Sequence, residues 1–209
     1  MPEVSVSSLD VRQQRLAENA KRALEQGDFD YVIESSAEIL KRTPGCCLVR
    51  RMQRSAQLEK FKTRNRVDRV IRSARAWVRF VLRIRRNPAA DSLAHAEHVL
   101  ACDPGNVSAL RLLGESAQAL GMLETALFAF KAFQEIRPGH RENQLSVGAA
   151  LLALNRPAEA LRIAEALLTS EPADFEAQWL QRKASVDQTI TRGNWEAGSP
   201  FGDRLGNPQ

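Results

Sequence analysis

Two sets of residues in this chain carry side chains capable of chemistry at a regular spacing. Asp91, His95, His98 and Cys102 stand at i, i+4, i+7 and i+11, which lines four metal-ligand types along one face of a helix. One short helix offers two or three ligands to an ion, so the spacing is weak evidence for zinc, and no metal site is expected. The second set is basic. From Arg50 to Arg86 there are fourteen Lys and Arg against Glu59 and Asp68, a charge of +12 that leaves about −7 for the rest of a chain carrying +5. On a helical projection Arg69, Arg72, Arg75, Arg79, Arg83 and Arg86 share one face. Val67, Val70, Ile71, Ala74, Trp77, Val78 and Val81 share the other.

Such an arginine face binds phosphate by bidentate contacts and counterion release, in anionic lipid or in nucleic acid, with Trp77 and Phe80 as interfacial or stacking side chains. The same pattern suits, as the favoured reading, a helix whose apolar face packs into the fold and whose arginines are solvated or paired with acidic residues. An acidic protein partner, or a second copy of the chain, would also fit. No glycine-rich phosphate loop, nucleophile elbow or paired carboxylates are present, and of three histidines His140 sits in a turn beside Pro138-Gly139. No catalytic residue, enzyme activity or cofactor is expected.

A composition of 44% hydrophobic and 26% charged residues, with 11 Gly and 9 Pro in 209, describes a globular protein of one or two domains and excludes collagen-like and generally disordered chains. Residues 1–10 show neither a basic start nor an apolar run, and Ala76–Ile84, the most apolar window, is interrupted by Arg79 and Arg83. A cytoplasmic location is the expectation, in which Cys46, Cys47 and Cys102 are reduced thiols.

What positions any site is a repeat. Pro104, Pro138 and Pro172 are separated by 34 residues each. Aligning on them stacks Gly114 over Gly148, Ala126 over Ala160, Leu127 over Leu161 and Phe133 over Leu167, small residues where helices approach and large ones where they face neighbours. Gly121 and Asn155 share one offset, between two apolar-periodic helices, and are expected to be the left-handed residues that reverse each hairpin. The template recurs at Leu16, Ala20 and Ala23, Gly27-Asp28-Phe29, then Ile33, Ile39 and Leu40 before Pro44. From Pro44 to Pro104 is 60 residues, eight short of two repeats, so the middle is irregular: between Cys47 and Arg86 either one long helix runs through or, the favoured reading, a break near Thr63 divides it into two.

These residues resemble the tetratricopeptide repeat family over roughly residues 9–190, most specifically in the repeats beginning near Val107 and Arg141, while 47–86 departs from the pattern. The stretch from Ala184 to Trp195 is also similar to the end of uncharacterised bacterial tetratricopeptide proteins. The resemblance implies an all-α solenoid of antiparallel helix pairs with an irregular basic central segment and a C-terminal capping helix. The expected organisation is a disordered 1–8, a helix pair at 9–46, the basic segment 47–86, repeats over 73–174, a cap at 175–190 built on Phe175, Trp179 and Val186, and a flexible tail 191–209.

The family binds peptides or protein partners in a concave groove. Its template turns Gln14, Ala17 and Lys21, then Arg111, Glu115 and Gln118, then Glu142, Leu145, Ala149 and Leu152 toward that groove. It also places His95 and His98 on an exposed convex surface and Cys102 toward the core. Groove residues this mixed suit an amphipathic helix or partly apolar peptide of a protein partner better than a C-terminal carboxylate. The expected role is therefore that of a non-enzymatic adaptor, scaffold or assembly factor. Anionic lipid or nucleic acid bound through helix 64–86 is the alternative, and a homo-oligomer is a further candidate assembly.

Overall fold

The computed structural model describes residues 3–63, 71, 74–75, 78 and 89–196. Among them a short 3-10 turn, Val6–Ser8, precedes nine α-helices, and there is no strand. These are α1 Val11–Gln26, α2 Phe29–Arg42, α3 Cys47–Lys62, α4 Ala89–Cys102, α5 Val107–Ala119, α6 Leu123–Ile136, α7 Arg141–Ala153, α8 Pro157–Ser170 and α9 Phe175–Glu196. The chain forms two compact units, Met1–Asn143 and Gln144–Gln209, divided within the first turn of α7.

Local signals set the boundaries. Asp10, Asp28 and Asn106 cap α1, α2 and α5 by accepting the backbone N–H three residues on, at 2.7, 3.2 and 2.9 Å. The cap recurs with the repeat. At the same offset His140 Nδ1 accepts the Asn143 N–H, and Asp174 accepts those of Glu176 and Ala177. His140 thus has a structural task. Gly27, Gly121 and Asn155 reverse the hairpins at φ of 80°, 76° and 56°. α3 ends at Lys62 with Thr63 as its C-cap.

In the first unit α1 packs on α2, α2 on α3, α4 on α5 and α5 on α6, and α3 also meets α6. Leu9, Ala17, Ile39, Leu40, Cys46 and Val49 form one core cluster, against which Val4 and Val6 pack. Residues 1–8, expected to be disordered, are therefore a strap from Glu3 onward. The Val4 N–H bonds the Gly45 carbonyl, and the Glu3 carboxylate accepts the N–H groups of Glu124 and Thr125 at 2.7 and 2.6 Å. An anion at the positive end of α6 satisfies donors that have no partner within the helix.

The basic segment begins inside the protein. Arg50 is 3% exposed: its Nε and Nη2 donate to Glu97 of α4, Nη1 to the Thr125 hydroxyl of α6 and Nη2 to the Pro44 carbonyl. Thr125 passes the link on by donating to Glu3. One turn later Arg54, also buried, donates to the Pro104 carbonyl, and desolvation pulls its pKa down against the opposing field of Glu135.

In the second unit α9 packs on α8, burying Ala177, Leu180 and Ala184 with Ala160, Ala164 and Leu167. Both repeat glycines are close-approach positions. A Cβ at Gly114 would overlap the ring of Phe130, and one at Gly148 a Leu180 methyl. The buried Phe130 ring is rigid, whereas a Leu methyl rotates aside. Gly114→Ala is expected to lose about 1–3 kcal/mol by overpacking, partly offset by helix propensity, and Gly148→Ala to stay within about 1 kcal/mol of wild type in urea unfolding. A neutral Gly114→Ala would contradict the packing.

Candidate functional site

The 34-residue register carries the expected groove positions from helix to helix. Arg111, Glu115 and Gln118 of α5 correspond to Leu145, Ala149 and Leu152 of α7, and one period further to Trp179, Lys183 and Val186 of α9. The structure turns all three α5 residues outward. Arg111 donates from Nε to Glu115 at 2.7 Å and from Nη1 to Glu142 at 3.0 Å, and these carboxylates, Glu115 foremost, push its pKa up. Its charge is met within the molecule. The first unit therefore shows a polar surface of paired charge at these positions.

In the second unit the same positions are apolar apart from Lys183. Leu145 and Ala149 of α7 with Phe175, Glu176, Trp179 and Leu180 of α9 line an open groove of about 410 Å³. Phe175 is 81% exposed and Trp179 54%. The Lys183 ammonium lies 5.1 Å from the centre of the Trp179 ring, within cation–π range. Leu152 is half-buried on the same helix without lining the groove.

This reverses the expected roles on α9. Phe175, Trp179 and Val186 were to be the packed side of a capping helix, yet they face outward with Ile190, and the buried face is Ala177, Leu180 and Ala184. Small residues let α9 lie close to α8, so the narrower stripe packs. Carrying the repeat alignment one period past Leu145 would have found Trp179. α9 also runs to Glu196, beyond the expected end at Ile190, and 197–209 lie outside the described residues.

Other expectations fare differently. On α1, Lys21 is exposed, but Ala17 is in the core, and the Gln14 amide donates to the carbonyls of Ser7 and Leu9. Of the arginine face, Arg75 is exposed, while Arg69, Arg72, Arg79, Arg83 and Arg86 lie outside the described residues. On the apolar face Ile71 and Val78 are 49% and 50% exposed and Ala74 is exposed, while Val67, Val70, Trp77 and Val81, and Phe80 beside them, lie outside the described residues. The Asp91 to Cys102 set does not converge: Asp91 and His98 are exposed, Cys102 is half-buried, and His95, expected on the convex surface, is buried. Helical spacing aligned them, but the packing of α4 on α5 turns the His95 side inward. Among the described residues no three His, Cys, Asp or Glu are grouped to hold a metal ion, and no helix is long and apolar enough to cross a membrane.

No family model and no curated protein matches the sequence. Solved structures do resemble it. The first tetratricopeptide domain of Spaghetti (RPAP3), bound to the HSP90 peptide SRMEEVD, is 19% identical with a TM-score of 0.46, covering 61% of this chain and 96% of that one. A mutant form of MamA is 15% identical with a TM-score of 0.43, over 91% and 94% of the two chains. The thermophilic protein TTC0263 of Thermus thermophilus is 16% identical with a TM-score of 0.42, over 83% and 81%. Hairpins reversed by Gly121 and Asn155, capped 34 residues apart by Asn106, His140 and Asp174 and closed around Gly114 and Gly148, give this chain an all-α tetratricopeptide-like fold.

Proposed function

We propose that the chain is a non-enzymatic protein-interaction module whose second unit holds an apolar peptide or amphipathic helix of a partner protein between α7 and α9. The observation that carries this reading is the open groove beside Phe175 and Trp179. Large aromatic side chains left in water forgo about 25 cal/mol for each Å² a partner would cover, and their exposure beside a concavity marks a binding surface. Leu145 and Ala149 form its α7 wall and Glu142 and Leu152 share that helix, while Arg111, Glu115 and Gln118 of the first unit are a separate polar contact surface. Two histidines taken up by structure, His95 in the core and His140 at a helix cap, support a role without catalysis.

A displayed library of random dodecamer peptides, selected on the full chain, tests this. Apolar, helix-compatible sequences are expected to emerge and to lose at least tenfold in affinity on Leu145→Asp, with helicity unchanged. Selected peptides that bind Leu145→Asp as well as wild type would contradict the groove. A second reading, binding to anionic lipid through 64–86, is supported by the shared exposure of Ile71, Ala74, Arg75 and Val78. It predicts that the chain co-sediments with phosphatidylglycerol vesicles and is released as salt rises; binding indifferent to salt would contradict it.

A further inference from the structure

We infer that a second copy of this chain covers the exposed stripe of α9, two α9 helices pairing antiparallel about a two-fold axis and closing the groove of each. The inference rests on the reading of the Trp179 face as a docking surface and adds its regulation by self-association.

The stripe is not where another repeat would stack. Leu113, Gly114 and Ala117 of α5 and Val147, Gly148 and Leu151 of α7 are buried; one period on, those positions are Gln181, Arg182 and Ser185. The stacking face thus turns polar at α9, as the end of a repeat array requires. Apolar exposure appears instead on Phe175, Trp179, Val186 and Ile190, which are 81%, 54%, 57% and 56% exposed. At 3.6 residues per turn the four fall within about 60° of one another.

Their spacing is four, seven and four residues, which reads the same in both directions. An antiparallel pair therefore sets Phe175 against the partner's Ile190 and Trp179 against the partner's Val186, an aromatic against an aliphatic at every level. That is the self-complementarity a two-fold interface demands. Length agrees: α9 has 22 residues against 13 in α7 and 14 in α8, so its last turns, with Ile190, extend past the repeat length and carry the stripe beyond Val186.

The four side chains expose roughly 500 Å² of apolar surface, given that a buried aromatic covers about 150–250 Å². Two stripes together approach the lower end of specific interfaces, which makes the dimer reversible and leaves monomer free for a peptide. Near the two-fold axis Arg182 and Lys183 face the same pair of the partner. Salt screens that repulsion and strengthens the dimer, the opposite of its effect on phosphate binding.

Sedimentation velocity of the full chain across a hundredfold concentration range, at low and high salt, tests this. Wild type is expected to pass from monomer to dimer, at lower concentration in high salt. Val186→Asp with Ile190→Asp is expected to stay monomeric over the range with its circular dichroism unchanged, since both sites are exposed. The Arg182→Glu chain mixed with wild type sets a carboxylate opposite the partner's Arg182, and the mixture is expected to dimerise severalfold more tightly than either chain alone. A wild type monomeric throughout, or a dimer indifferent to the double variant, overturns the proposal, and a mixture of wild type with Arg182→Glu that dimerises no more tightly than either alone overturns its antiparallel register. A monomeric wild type whose selected peptides are still lost by Leu145→Asp overturns self-association alone and leaves the groove standing.

Discussion

A buried cation is the constraint on which the first unit depends. Arg50 is almost wholly removed from water, and an ion so placed costs several kcal/mol unless its donors are met. Glu97 neutralises it, and Thr125 and the Pro44 carbonyl take its remaining hydrogen bonds, so α3, α4, α6 and the end of the first hairpin are fixed to a single planar group. Glu3 then joins the chain's start to the same network through Thr125. Arg54 performs a smaller version of the task at Pro104. The middle of the array is eight residues short of two regular repeats, and at its edge polar contacts of fixed geometry, rather than interlocking apolar residues alone, hold neighbouring helices in place.

That network explains what a count of charges concealed. Arg50 and Arg54 open the most basic stretch of the chain, and nothing in their sequence neighbourhood separates them from solvated arginines; the partner that neutralises Arg50 lies 47 residues away on another helix. The repeat, by contrast, was legible because its determinants are local. Positive φ at Gly121 and Asn155 and caps at Asn106 and Asp174 each depend on a few adjacent residues. The strap at 3–8 was not legible: its partners are Gly45, Glu124 and Thr125, and a short polar segment carries no periodicity.

The reversal on α9 has a related cause. Helical periodicity shows which residues share a face without showing which face is buried, and Phe175, Trp179 and Val186 have the stronger apolar pattern. Close approach decided otherwise, because Ala177 and Ala184 allow α9 to sit near α8 and Leu180 to fill the space over Gly148. The larger stripe was left at positions that continue Leu145 and Leu152 of α7 in the 34-residue register. Along those positions the chain changes from ion-paired on α5 to apolar, Lys183 excepted, on α7 and α9.

The central claim is that a peptide is held between α7 and α9. Methyl and indole NMR of the full chain, titrated with the tightest-binding library peptide, examines it residue by residue. The account predicts that the methyl signals of Leu145 and Leu180 and the indole signal of Trp179 shift together and saturate at one peptide per chain. Saturable binding that leaves those three signals in place and moves only residues of the first unit would contradict it.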